Sequence, residues 1–346
     1  MAQQLADGGL EYSSFLELVH SYFPHVKLPK NSRLGKCLQC SEFIRRKLKA
    51  TSITEASKIA QQRTAHLTEM FEERQAYSSR AHEAKTFPHQ AMSVIIDQSD
   101  AIQLPAVAYY PKAWIKLQKR MPMHVGGLID HWFGNRIYFH PQPCFGKGAN
   151  LTISILHNHL QRRFADSTLP RPPLLYLQLD NCSGENKNRY VFGYLSYLIH
   201  RGIFQEIYIN FLPVGHTHED IDRLFSVLPD FRTKWECFHP DDFPSLLKQA
   251  YASSDPAPEF IRLPWIYDWK SWLSPYLNQI EHHSQPRQFH LFRCGGEVMM
   301  TASTSALVSN PTEPRTLLPF PPVDSLPLAA PFLPMKPEVF CHHLLL

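Results

Sequence analysis

The spacing of apolar residues changes its period near residue 90. Upstream the chain reads as helical. Ser41 to Lys49 predicts one short helix, carrying the basic run Arg45-Arg46-Lys47-Leu48-Lys49 on a solvated face. A longer helix is expected from about Ser52, since Ser52 and Glu55 have capping-box spacing. Ala56, Ile59, Ala60, Leu67, Met70 and Phe71 would form its apolar face, and Pro88 would close it.

Downstream the pattern turns to short apolar runs. Met92 to Ile96 predicts a strand ending on Asp97. His124 to Gly134 and Arg136 to His140 predict a hairpin turning at Gly134-Asn135. Leu151 to Phe164 reads as a helix with Ile153, Leu156 and Leu160 on one side. Leu174 to Leu179 is apolar on both parities apart from Gln178, as expected of a central strand covered on both faces. A helix is expected from near Glu185 to a C′ residue at Gly202, then a strand over Glu206 to Leu212, then a helix after Gly215 with Ile221, Leu224, Phe225 and Leu228 inward. Further on, Asp241 to Ala252 suggests a helix, residues 265–273 a Trp-rich packed segment, and Gln288 to Met300 a hairpin.

This order predicts an α/β layer structure with helices over a mixed sheet. The expected organisation is a helical N-terminal region over 1–89, a core over 90–232, an α+β extension over 233–309, and an irregular proline-rich tail over 310–346. No internal repeat is found.

Composition narrows the class only modestly. A 346-residue chain that is 44% hydrophobic suits a globular protein with a sizeable core. No run approaches the ~18 apolar residues of a membrane span, and Met1 to Phe15 lacks the pattern of a secretory signal, so no membrane partner is expected. The net charge of +4 permits contact with nucleic acid without arguing for it. Seven scattered Cys in such a chain read as reduced thiols and an intracellular setting. Cys37 and Cys40 have the spacing of Zn²⁺ ligands, and His66 or His82 would complete a site after a helical reversal. The alternative is two thiols at a helix start.

The acidic residues have a suggestive placement. Asp97 ends the first predicted strand, with Asp100 close behind; Asp180 ends the central one; Asp220 and Asp222 lie in the first turns of the helix after the last. In open α/β sheets, sites gather at the carboxyl ends of strands. Carboxylates converging there repel one another unless a cation sits among them, and their hard oxygens suit Mg²⁺ or Mn²⁺. Two such ions can activate a hydroxyl and stabilise the leaving oxygen of a phosphodiester. Singly, an Asp after a strand is more often a turn former or an N-cap.

This placement resembles the RNase H-like fold of DDE transposases and retroviral integrases. In that fold one Asp lies on the first strand, one after the fourth, and an Asp or Glu on the helix after the fifth. More closely, Leu179-Asp180-Asn181-Cys182-Ser183-Gly184-Glu185-Asn186-Lys187-Asn188 together with Gly215-His216-Thr217-His218 and the following aspartates resembles an uncharacterised family of transposon-derived eukaryotic proteins. The resemblance implies Asp97, Asp180 and Asp222 as catalytic metal ligands, with Asp100 and Asp220 as the competitors at the first and third positions. Asn181, Asn186, Lys187, Asn188 and Arg189 would then face phosphate at a helix start, or simply cap that helix into solvent. His216 and His218 would support the acids. The implied setting is nuclear, with DNA as partner and a homo-oligomer as a natural assembly.

Two other readings stay open. One is a domesticated core that keeps the fold and binds nucleic acid or protein without catalysis. The other is a calcineurin-like metallophosphoesterase, which Gly215-His216-Thr217-His218 also resembles. That family's Asp-x-His after the first strand is replaced here by Asp97-Gln98-Ser99.

Overall fold

The first two helices are set by their caps. The computed structural model describes residues 17, 21–22, 37–104, 106, 121–141, 147–211, 220–228, 235–263, 265–280, 283–305, 311–322 and 326–330. The chain divides into two units, 1–36 and 37–346; of the first, Glu17, Ser21 and Tyr22 are described, all helical and exposed. In the second unit, α1 (Leu38–Lys49) begins where the Cys37 sulfur accepts the Cys40 N–H. Helix α2 (Ile53–Thr86) begins where the Ser52 hydroxyl accepts the Glu55 N–H. The Glu55 carboxylate returns to the Thr51 N–H, one residue before the position a strict capping box would use.

Helix α2 buries a stripe of Ile59, His66, Met70, Glu73, Tyr77, Ala81 and Ala84. The expected apolar face is therefore corrected. Leu67 and Phe71 lie on the solvent side, and two polar residues, His66 and Glu73, take the inward positions.

One ten-stranded sheet carries the rest. Its strands are β1 (Ala91–Gln98), β2 (Ile102–Leu104), β3 (Met121–Asp130), β4 (Gly134–Pro141), β5 (Leu174–Leu179), β6 (Glu206–Phe211), β7 (Glu259–Arg262), β8 (Gln288–Cys294), β9 (Glu297–Ser303) and β10 (Arg315–Thr316). The order is β10-β9-β8-β6-β5-β1-β3-β4-β7, with β2 paired beside β3. Strands β1, β5 and β6 are mutually parallel, while β3 runs antiparallel to β1 and β4 antiparallel to β3. The hairpin between β3 and β4 turns at His131-Trp132-Phe133, three residues ahead of the Gly-Asn predicted to turn it. There the Asp130 carboxylate accepts the N–H groups of Trp132 and Phe133.

Both faces of the sheet are covered, which is why the central strands are apolar on both parities. One face packs on α3 (Ala149–Ala165), α4 (Arg189–His200) and α7 (Trp269–Leu273), enclosing Val94, Ile96, Leu128, Leu177, Phe192 and Trp269. The other packs on α2, α5 (Asp220–Phe225) and α6 (Phe243–Ala250), enclosing Tyr77, Ile95, Val125, Ile129, Ile221 and Phe243. Gln178, the one polar residue in β5, belongs to a row across three strands. It pairs in register with Asn210, which pairs with Gln288, and the three amides hydrogen-bond to one another and onward to the buried Glu73 of α2.

Residues beyond 233 do not form a separate layer. Strand β7 extends the sheet beside β4, and β8 and β9 extend it beyond β6. The segment expected as an irregular tail also contributes: β10 pairs with β9, and Leu317 and Leu318 are buried. Among the described residues no helix is long and apolar enough to cross a membrane.

Candidate functional site

Strands β1 and β5 are parallel neighbours whose last registered pair is Ile96 with Leu179. Asp97 and Asp180 each come one residue later, so the strand-end acids leave the sheet side by side, on strands that pack ~4.8 Å apart. Asp97 is half-buried and Asp180 exposed.

Two glycines of β3, Gly126 and Gly127, lie beside the end of β1, and the second of them admits α5. Gly127 pairs with Asp97 across the ladder, and Gly126 pairs with Gln98. A Cβ at Gly127 would lie 2.8 Å from the Phe225 ring and 3.1 Å from Ile221, so the absent side chain lets α5 lie directly on the strand. At Gly126 a Cβ would meet Ile155 of α3 at 3.1 Å on the other face. Asp222 sits next to Ile221 on α5 and is thereby carried toward Asp97.

The electrostatics record this gathering. Burial pushes the Asp97 carboxyl up to about 6, against the pull of a 2.7 Å hydrogen bond from the Gln98 N–H, and the negative charges of Asp180, Asp222 and Glu185 push it further in the same direction. Glu185 was not anticipated from the sequence. It stands in the turn after β5, five residues beyond Asp180, and that close acidic repeat was the available signal.

Asp220, expected as a competitor for the third acid, is engaged elsewhere. Its carboxylate accepts from the Tyr77 hydroxyl at 2.7 Å and lies 2.9 Å from His131 Nε2, while His131 Nδ1 lies 2.9 Å from the Ser93 hydroxyl. Burial opposes ionisation of Asp220, but the hydrogen bond and charge of His131, with Tyr77 and the Ile221 N–H, outweigh it and hold the carboxyl below its ordinary value. This network ties α2, β1, β3 and α5 together near the opposite end of β1. Asp100 lies exposed beyond the end of β1. His216 and His218 lie outside the described residues.

The asparagine-lysine segment is built mainly for structure. Three successive N–H groups, of Glu185, Asn186 and Lys187, converge on the Cys182 carbonyl. Asn186 is buried, donating to the Asp180 carbonyl at 3.2 Å and accepting from Thr152 of α3 at 2.9 Å. Asn188 caps α4, accepting the N–H groups of Tyr190 and Val191. That helix thus starts at Arg189, four residues later than its sequence suggested.

Lys187, expected to face phosphate, is only 2% exposed. Its ammonium donates to the Asn181 side chain at 3.0 Å and the Ser284 carbonyl at 2.8 Å, and lies 5.1 Å from the centre of the Phe211 ring. Burial, and then the charge of Arg287, depress its pKa to about 8. Arg189 is half-buried, like Asn181 and Asn188, and its guanidinium lies over the Tyr190 ring.

A second cluster lies on the two N-terminal helices. Cys37, Cys40 and His66 bring their ligand atoms within 4.8 Å of one another, an arrangement able to hold a metal ion. His66, not His82, is the histidine that joins the cysteine pair. A cleft of about 800 Å³ lies elsewhere, between α3 and α4 around His157, Tyr194 and Arg201, and is not lined by the acids.

Fold and site together define a mixed α/β protein with carboxylates collected at the carboxyl end of its central parallel strands. The chain belongs to a family described as a domain of unknown function (DUF7869), whose model matches residues 115–306, more than half of the chain. The match includes Asp180, Glu185 and Asp222; Asp97 and the cysteine–histidine cluster precede it. Neither the comparison with curated proteins nor that with solved structures gives a match.

Proposed function

We propose that the chain is a transposon-derived, RNase H-like core that cleaves or joins DNA phosphodiesters using two divalent ions. The observation that carries this reading is the side-by-side exit of Asp97 and Asp180 from β1 and β5, with the helix bearing Asp222 seated on the strand next to Asp97. If β1, β3, β4, β5 and β6 are counted as the five core strands, Asp97 lies on the first, Asp180 follows the fourth and Asp222 lies on the helix after the fifth. That is the placement the resemblance to DDE transposases calls for.

The donor set fits a hard divalent cation: carboxylate oxygens, with burial and then the neighbouring acids disfavouring the charged form of Asp97. Asp97, Asp180 and Asp222 would hold Mg²⁺ or Mn²⁺, with Glu185 beside them. Such ions supply activation of an attacking hydroxyl and stabilisation of a leaving oxygen. The protein's own part is to aim the acids. Asn186 anchors the Asp180 backbone, and Lys187 holds the Asn181 side chain. Arg189 is the cation of its segment best placed to meet a phosphate, since among the described residues its guanidinium donates to the Tyr190 hydroxyl and is not buried as Lys187 is.

The decisive experiment is Mg²⁺- or Mn²⁺-dependent nicking of plasmid DNA by the purified protein, compared with Asp180→Asn. Loss of metal-dependent nicking in the variant supports the assignment. Nicking that survives the substitution removes it. A second reading is a core that binds DNA without cutting it. DNA binding with no nicking in either protein would select that reading.

A further inference from the structure

Helix α1 is poorly held by apolar contacts. Phe43 is its one buried residue, while Leu38 and Leu48 are over 80% exposed and Ile44 is half exposed. The facing half of α2 offers little in return: before His66, only Ile59 of that helix is buried. A 12-residue helix is marginal by itself in water, so a helix docked through one ring needs another source of order.

Cys37, Cys40 and His66 stand where that source is missing. Cys37 is the N-cap of α1, Cys40 lies in its first turn, and His66 lies on the buried stripe of α2. Cys37 Sγ is 3.4 Å from His66 Nε2, and the Cys40 N–H points at Cys37 Sγ at 3.4 Å. With Zn–S near ~2.3 Å and Zn–N near ~2.0 Å, ligand atoms around a tetrahedral zinc lie roughly 3.5–3.8 Å apart. The observed sulfur–nitrogen distance is close to that edge, so little movement separates this arrangement from a ligated one. The imidazole also contacts the Phe43 ring, with centroids 6.1 Å apart, so the one apolar anchor of α1 and the ligand cluster adjoin. Two thiolates and an imidazole are a soft set, unlike the carboxylates at the sheet edge, and select zinc over magnesium.

We propose that Cys37, Cys40 and His66 bind a structural Zn²⁺ ion that staples α1 to α2. The fourth position is filled by water or by a further group of the chain. The two thiol protons leave when the thiolates ligate, so with a neutral fourth ligand the bound site carries no net charge. The inference is independent of the acids at the sheet edge and of any DNA chemistry.

The test uses the full chain. Protein purified with zinc in the medium should contain equimolar zinc, and Cys37→Ser, Cys40→Ser or His66→Asn should cut that content at least tenfold. Cys294→Ser, at an exposed thiol outside the cluster, should leave it unchanged. Cobalt loaded into the unmodified protein should give the absorption of tetrahedral thiolate-bound Co²⁺, a readout that does not depend on a variant folding. Removing zinc with a chelator should abolish hydrogen-exchange protection over residues 38–49 while strands β1 and β5 keep theirs. Undiminished zinc content in a Cys37→Ser/Cys40→Ser protein would overturn the proposal, as would unmodified protein that takes up neither zinc nor cobalt. Protection of α1 unaltered by chelation would overturn the staple.

Discussion

Asp97 and Asp180 leave neighbouring parallel strands at the same level, one residue past the registered pair of Ile96 and Leu179. Parallel pairing places equivalent positions side by side, so two acids 83 residues apart in sequence become strand-end neighbours. Crowding of this kind costs stability unless a cation relieves it. Asp97→Asn should therefore raise the melting temperature of the metal-free protein and abolish the further rise that Mn²⁺ produces in the parent. Thermal unfolding with and without Mn²⁺ checks both; a Mn²⁺ gain retained in the variant would count against Asp97 as a ligand.

Gly127 decides how closely α5 can approach. An alanine there must displace the Phe225 ring or Ile221, since its Cβ would lie 2.8 Å and 3.1 Å from them. Overpacking of this sort costs roughly 1–3 kcal/mol. Gly127→Ala should lower the urea midpoint by that measure, and Phe225→Leu in the same chain should recover part of the loss. A Gly127→Ala protein as stable as the parent would show that α5 is not pressed on this strand.

Asp220 and Asp222 are two residues apart yet belong to different environments. Tyr77→Phe and Asp220→Ala should be coupled, with an interaction energy of about 0.5–3 kcal/mol in a double-mutant cycle, because both break one hydrogen bond. Asp220→Asn should leave Mn²⁺ binding in place, whereas Asp222→Asn should remove it. Calorimetric titration of the two variants distinguishes them.

Lys187 should give a pH signature. Its folded-state pKa, about 8, lies below the ~10.4 of an unfolded lysine. The fold therefore disfavours the charged form: the cost is complete below pH 8 and fades as pH rises from 8 toward 10.4. Relative to Lys187→Met, the parent should gain stability across that window, by up to about 1.4 kcal/mol per pH unit. Denaturation series between pH 7 and 10.5 measure the difference; a flat difference would mean the ammonium is not buried in solution.

Loss of the Asn188 cap should cost about 1 kcal/mol, since its side chain satisfies two N–H groups at the start of α4. Asn188→Ala tested by urea unfolding should fall near that value with the unfolding slope unchanged. A phosphate-contacting role alone would leave stability untouched.

Local signals were legible in the chain because they depend on neighbours in sequence. Ser52 with Glu55 marked the start of α2, Gly202 the end of α4 with its φ of 68°, and the two-sided apolar run of Leu174–Leu179 the sheet's central strand. The α/β class followed from the same spacing, whereas the choice of Asp97, Asp180 and Asp222 came from the resemblance. What escaped depends on partners far along the chain. Lys187 looked like a surface cation until Phe211 and the Ser284 carbonyl enclosed it, and Leu67 and Phe71 looked inward until a polar row of Gln178, Asn210 and Gln288 drew Glu73 under the helix instead. Gly134-Asn135 promised a turn, but the Asp130 carboxylate captured two N–H groups and placed it earlier. Periodicity states which residues share a face. Only the register of β1 with β5, and the packing of α5 on Gly127, decides which faces and which charges meet.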